Sequence, residues 1–188
     1  MEHQHYREFV AAAKDDRAYK IFCHNAELGS RRYGVPIDHI KGRSEEILPD
    51  LPPNTFDIVY VDAGHYYDDV IVDIEFAKNL VVDGGIICGD DLNLILSDTD
   101  LEVTKANANR DYIRDERSGW NYHPGVTLAV GESFPAVGTA DSYWSVRKTS
   151  DQTYLPSEMG FNGFFMPSFL SHDAQKSFVA MMQPVSST

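Results

Sequence analysis

An α/β fold built around a largely parallel sheet is what this sequence predicts, and three observations carry the prediction. Residues 56–92, FDIVYVDAGHYYDDVIVDIEFAKNLVVDGGIICGDDL, read as strand, short loop, helix, Gly-Gly turn and strand. The two strand segments, 58–61 and 85–88, are continuously apolar rather than alternating, the pattern of parallel strands covered on both faces. An acidic residue closes each strand: Asp62 the first, Asp90 and Asp91 the second. Ligands of open α/β sheets bind at the carboxyl ends of the strands, so carboxylates delivered there by two strands mark a candidate site.

The remaining elements follow in order. Phe9, Ala12, Ala13, Tyr19, Phe22, Cys23 and Ala26 recur at helical spacing, so one or two helices are expected over 6–32, with Gly29 and Gly34 as stop signals. Val35 to Ile40 makes a short strand ending at Lys41-Gly42. Ser44 then caps a short helix. Leu51-Pro52-Pro53-Asn54 is a turn. A strand at 56–62, a helix at 67–80 and a strand at 85–90 come next. Residues 93–120 form a polar loop with one helix, suited to act as a lid. Pro124 opens a helix over about 125–134. The segments 136–139 and 143–148 make a closing hairpin. From Ser150 an aromatic-rich extension begins (Tyr154, Phe161, Phe164, Phe165, Phe169), with a helical stretch near 169–182; it serves as core cover or as a dimer surface. The expected division is thus an α/β domain at 1–149 and an extension at 150–188.

Composition bounds the function. A chain of 188 residues, 43% apolar and 12% aromatic, suits one globular domain with a sizeable core. A net charge of −13 without any Lys/Arg cluster argues against a nucleic-acid or anionic-membrane partner. Cys23 and Cys88 lie in a helix and a strand, with no spacing that suggests a disulfide framework or zinc site. No apolar run approaches the roughly 20 residues of a membrane span, and the N-terminus has no signal-peptide core. The expectation is a cytoplasmic protein.

Three carboxylates at neighbouring strand ends repel unless a cation gathers them, and hard oxygen ligands suit Mg²⁺ or Ca²⁺. Capping of the loops that follow is the other reading of Asp62, Asp90 and Asp91. His65, three residues past Asp62, is placed to act as a general base or a polar substrate contact, or to hold its own loop. His123, before Pro124, is a weaker candidate of the same kind. Gly42-Arg43-Ser44 offers backbone amides and a hydroxyl that could meet a purine, or simply caps a helix.

Taken together, FDIVYVDAGH, DIEFAKNLVVDGGIICGDD, HPGVTLAV and YWSVRK resemble class I S-adenosylmethionine-dependent methyltransferases, in particular the macrocin-type sugar O-methyltransferase branch, over roughly residues 6–149. The resemblance implies a Rossmann-like methyltransferase sheet in which Val35–Ile40, Phe56–Asp62 and Gly85–Asp90 are the third, fourth and fifth strands, closed by an antiparallel final hairpin. It places Gly42, Arg43 and Ser44 beside the adenine and Asp62 near the methionine end of S-adenosylmethionine. It makes Asp62, Asp90 and Asp91, 28 and 29 positions apart, the ligands of Mg²⁺ or another divalent cation. His65 becomes the base and a small-molecule or sugar hydroxyl the acceptor. The resemblance also implies an N-terminal truncation, since nothing before Val35 reads as the first two strands and their glycine-rich turn. Three explanations are open: a fragment, an inactive relative, or a chain completed by a partner or by homo-oligomerisation. A non-catalytic scaffold is the alternative function, and a metal-dependent hydrolase a third.

Overall fold

The computed structural model describes residues 16–157 and 171–176. The chain divides into two compact units, Met1–Ile47 and Leu48–Thr188. Each is best understood by itself.

In the first unit, helix α1 spans Arg17–Tyr33. Gly34 ends it in the left-handed region (φ 67°) and donates its N–H to the Ser30 carbonyl, the geometry that favours glycine there. Gly29 does not interrupt it. Helix α2 is a single turn, Ser44–Ile47. The Arg43 carbonyl accepts from the Ile47 N–H, so Arg43, rather than Ser44, occupies the capping position. The strand expected at Val35–Ile40 is not formed. Val35, Ile37 and Ile40 are exposed, and Ala26 is the one buried apolar residue of α1. A short β-branched run becomes a strand only where a neighbouring ladder takes its backbone groups, and this one has no such partner among the described residues.

The second unit holds the sheet. Strand β1 is Phe56–Val61, helix α3 is Tyr67–Leu80 and strand β2 is Val81–Gly89, with β1 and β2 parallel. Asp68 and Asp69 complement the N-terminal dipole of α3. Val70, Ile74 and Ala77 bury one face of it at helical spacing. Phe56 pairs with Val81 and Ile58 with Ile86, so an excursion around Gly84 (φ 81°) delays the regular ladder to about the position where the Gly-Gly signal placed the strand.

Beyond a 3₁₀ turn, helix α4 (Leu101–Ala106) is capped by Asp100, whose carboxylate accepts from the Glu102 and Val103 N–H groups. The two-residue strands β3 (Ile113–Arg114) and β4 (Asn121–Tyr122) pair, and helix α5 follows at Pro124–Ser133. Strands β5 (Gly138–Ala140) and β6 (Tyr143–Lys148) form the expected hairpin. Strand β6 pairs antiparallel with β2, and β7 (Tyr154–Pro156) pairs with β6. The main path of the sheet runs β1-β2-β6-β5.

Helices α3 and α5 cover a core of Val70, Ile74, Val81, Ile87, Val126, Val130, Phe134, Trp144 and Val146. Each such side chain contributes roughly 1.5–3 kcal/mol when fully buried. Lys148 is buried too, and its ammonium donates to Asn54 Oδ1 and the Val81 and Lys78 carbonyls. The expectation that both parallel strands are covered on both faces holds for β2 but not for β1. Ile58 and Tyr60 are 61% and 50% exposed, whereas Val59 and Val61 pack against the core. At the edge of the sheet among the described residues, with one open face, β1 alternates. The predicted tail helix lies mostly outside the described residues; 172–176 are helical, and Phe161, Phe164, Phe165 and Phe169 lie among those not described. No described helix is long and apolar enough to cross a membrane.

Candidate functional site

Three loops at the carboxyl ends of β1 and β2 converge with the start of α5. His65 comes from the β1–α3 loop, Asp91 from the residue after Asp90 at the end of β2, and His123 from the position before Pro124. Asp111 and Tyr112 come from the loop before β3. Two contacts fix this convergence. The Tyr67 N–H donates to the Ala108 carbonyl at 3.0 Å, tying the His65 loop to the Asp111 loop. Gly125 lets the first turn of α5 reach both: a β-carbon there would collide with the His65 carbonyl, the Tyr67 nitrogen (2.5 Å) and the Ala108 carbonyl (2.6 Å).

Asp91 adopts a left-handed backbone (φ 65°), a conformation that Asp and Asn tolerate better than most residues. Its N–H donates to Asp90 Oδ1 at 2.7 Å, and the Ser142 hydroxyl donates to the same oxygen at 2.6 Å. The Leu92 N–H reaches the Ser142 carbonyl. Asp90 therefore clamps the end of β2 to the β5–β6 turn, and the reversal at Asp91 sends the two adjacent carboxylates to different partners.

Asp91 faces the imidazoles. His65 Nε2 lies 3.1 Å from Asp91 Oδ2, and His123 Nε2 lies 3.6 Å from Asp91 Oδ1. On the other side Asp111 Oδ1 lies 2.6 Å from His65 Nδ1 and 3.4 Å from His123 Nδ1. The two rings sit 4.1 Å apart, and Tyr112 packs on His123 at 3.9 Å. An ionised carboxylate only accepts hydrogen bonds, so His65 Nδ1 carries the hydrogen toward Asp111. His123 is fully buried, with neither ring nitrogen in a hydrogen bond of normal geometry. Burial, and then the neighbouring His65, hold its imidazole below the ordinary histidine pKa, against the pull of Asp91 and Asp111.

The sequence-predicted site residues are distributed as follows. His65 and Asp91 are brought together, and ligand atoms of His65, Asp91 and His123 lie within 4.8 Å of one another. Asp62 and Asp90 stand outside that group. Both act instead on Tyr60, whose phenol is raised above its usual pKa by partial burial and then by Asp90 and Asp62. Gly42 and Arg43 are exposed in the first unit, Gly42 against Ile47 and Arg43 paired with Glu45. Ser44 begins α2.

Asp111 carries no local sequence signal, and His123 carries only a weak one. The signal for His123 was the HPG triplet, since a glycine directly after a helix-opening proline marks a backbone that something approaches closely. An apolar cleft of about 640 Å³, lined by Leu92, Leu96, Val130, Phe134 and Val137, shares no residue with the imidazole cluster. It lies toward the far end of α5, which is roughly 15 Å long.

The fold and the cluster define a mixed α/β protein with polar, ligand-competent side chains at the carboxyl ends of adjacent strands. Residues 2–92, just under half of the chain, match a family model described as a methyltransferase domain. The matched stretch contains Gly42, Arg43, Ser44, Asp62, His65, Asp90 and Asp91, and it ends before Asp111 and His123. No curated protein and no solved structure matches the chain significantly.

Proposed function

We propose that this chain is an S-adenosylmethionine-dependent O-methyltransferase acting on a hydroxyl of a small molecule or sugar, with a divalent cation assisting at the strand ends. The observation that carries the reading is the methyltransferase-domain match over residues 2–92, which ends at the carboxylates and histidine of the acceptor side. When bound, the donor supplies a sulfonium methyl group and the cation supplies Lewis acidity. Within this reading Gly42, Arg43 and Ser44 flank the adenine and Asp62 the methionine end, while Asp62, Asp90 and Asp91 are the carboxylate set available to Mg²⁺.

The fit of these groups to the fold is uneven. Residues 16–55 hold two α-helices, a 3₁₀ turn and no strand, so they do not build a strand–glycine turn–helix cradle for the donor. The chain's own chemistry is therefore clearest on the acceptor. With no metal on it, His65 Nε2, beside Asp91, is the atom to take the proton of an acceptor hydroxyl, and Asp111 on Nδ1 stabilises the resulting imidazolium. The buried ring of His123 keeps water from one side of that proton transfer.

Methyl transfer from labelled S-adenosylmethionine to a panel of vicinal diols and sugars, with and without Mg²⁺, tests the proposal. Transfer is expected, falling by roughly 10²–10⁴-fold in His65→Ala. Equilibrium donor binding tests the uneven fit separately, and tight binding by the chain alone would show the donor site to be whole. A second reading, a non-catalytic binding module, is favoured by the exposed Ile58 and Tyr60 on edge strand β1, a surface that a second copy or another chain could cover. Partner binding without methyl transfer across the panel would support it.

A further inference from the structure

We infer that His65, Asp91 and His123 form a binding site for a borderline divalent transition ion of the zinc class, oriented by Asp111. The proposal goes beyond the methyl-transfer reading, because the two imidazoles hold such an ion whether or not a methyl group is transferred. It also differs from the oxygen-only set of Asp62, Asp90 and Asp91, with which it shares one carboxylate.

Three features of the cluster point to a cation. First, a neutral His65 ring that donates Nδ1–H to Asp111 presents the Nε2 lone pair to Asp91 Oδ2, 3.1 Å away. Two electron-rich atoms at that distance need a proton or a metal ion between them, and an ion can serve His123 as well. Second, His123 is buried with both nitrogens lacking a hydrogen bond, an arrangement that costs about 1–3 kcal/mol for an unsatisfied buried group. Its Nε2 faces the same Asp91 carboxylate at 3.6 Å, so one ion would satisfy it together with His65.

Third, the dimensions fit. Ligands about 2.1 Å from a metal are separated by roughly 3.0–3.4 Å in octahedral or tetrahedral geometry. The observed separations, 3.1 Å from His65 Nε2 to Asp91 Oδ2 and 3.6 Å from His123 Nε2 to Asp91 Oδ1, are close to that range, and one ligand atom from each of the three residues lies within 4.8 Å of the others. An ion at this point would find His65 Nε2, His123 Nε2 and the Asp91 carboxylate, and positions not taken by protein would admit water or a substrate oxygen.

The ligand set selects the metal class. Imidazole suits zinc, iron, copper and nickel, whereas Mg²⁺ takes oxygen ligands and keeps much of its water. The Asp111–His65 contact is the carboxylate–histidine–metal arrangement that fixes the tautomer of a ligand histidine. Two structural constraints preform the site. The left-handed backbone aims Asp91, and Gly125 lets His123 approach the His65 loop.

The test is metal binding by the full chain, stripped with chelator and titrated with Zn²⁺ against a chromophoric competitor, with no methyl donor or acceptor present. One ion per chain is expected, bound at least 100-fold more tightly than Mg²⁺. His123→Ala and His65→Gln should each weaken Zn²⁺ by 10-fold or more, and Asp111→Asn by about 10–100-fold as an orienting partner. Asp62→Asn should change it less than 2-fold. Substituting Co²⁺ should give a visible ligand-field spectrum that His123→Ala abolishes.

Zn²⁺ affinity unchanged in a folded His65→Gln variant, which alters a half-exposed side chain, would overturn the assignment even if His123→Ala fails to fold. So would equal preference for Mg²⁺, or zinc affinity that depends on Asp62 and not on the histidines. Failure of methyl transfer alone leaves the zinc titration standing, and failure of zinc binding leaves a magnesium-assisted transfer open.

Discussion

The segment from Arg17 to Ile47 and the sheet-bearing segment from Leu48 to Pro156 are similarly rich in apolar residues but make different use of them. In the first, Ile21, Phe22, Leu28, Tyr33, Val35, Ile37 and Ile40 are all exposed. In the second, Ile74, Val81, Ile87, Val130, Trp144 and Val146 of α3, β2, α5 and β6 are almost wholly removed from water. The difference teaches that an apolar pattern alone does not make an element. The run at 35–40 has β-branched residues at Val35, Ile37 and Ile40 but no ladder to join among the described residues, whereas Ile86 and Ile87 lie between β1 and β6 and pair on both sides. Burial follows from pairing and covering, and among the described residues strand pairing is found in the second segment.

Substitutions should expose this asymmetry, beginning with the core. Trp144→Ala removes a fully buried ring packed on Phe134 and is expected to cost about 3–5 kcal/mol, read by chemical denaturation. Gly125→Val tests whether the site depends on close backbone approach. Its side chain must displace the His65 loop or the 108 carbonyl, at a cost of roughly 1–3 kcal/mol. Zinc affinity should fall with it, and a variant of undiminished stability would remove the glycine argument. Asp100→Ala deletes the cap of α4 and should cost about 1 kcal/mol, a local effect on the lid-like loop.

A pH experiment sharpens the same contrast. The Ser118 N–H and hydroxyl hold the Asp115 carboxyl below its usual range, so the folded state binds a proton less readily than the unfolded one. That contribution is present above the unfolded carboxylate value of about 3.9 and is lost as pH falls through the folded value. Asp115→Asn should therefore lower stability at neutral pH and narrow its gap from the parent protein in acid. Smallest of all, Ile40→Ser in the exposed segment should stay within about 0.5 kcal/mol of the parent. A large loss there would show that the exposed residues are covered in solution.

Much of the fold was legible in the sequence. The helix at 67–80, the strand after it, the Pro124 helix and the closing hairpin all follow from local signals: apolar period, proline at a first turn and glycine at a turn. The strand expected at 35–40 failed because strand formation is a property of two chains of backbone, and a single sequence window holds only one. The openness of β1 escaped notice for the same reason, since a continuous apolar run does not say which of its faces is covered.

For the site, the sequence by itself determined that carboxylates and a histidine close two adjacent strands, because strand ends and their acidic residues are contiguous in the chain. It gave no way to tell which of them would meet. Only the tertiary structure decided that Asp90 is spent on Ser142 while Asp91, turned by its left-handed backbone, faces His65. Only packing brought His123 and Asp111, 58 and 46 positions beyond His65, to within hydrogen-bonding or near-contact range of the same carboxylates and ring. Local sequence fixes where a side chain leaves the backbone. Which partners it finds depends on loop closure and on the absence of a β-carbon at Gly125, which become visible only once the chain has folded.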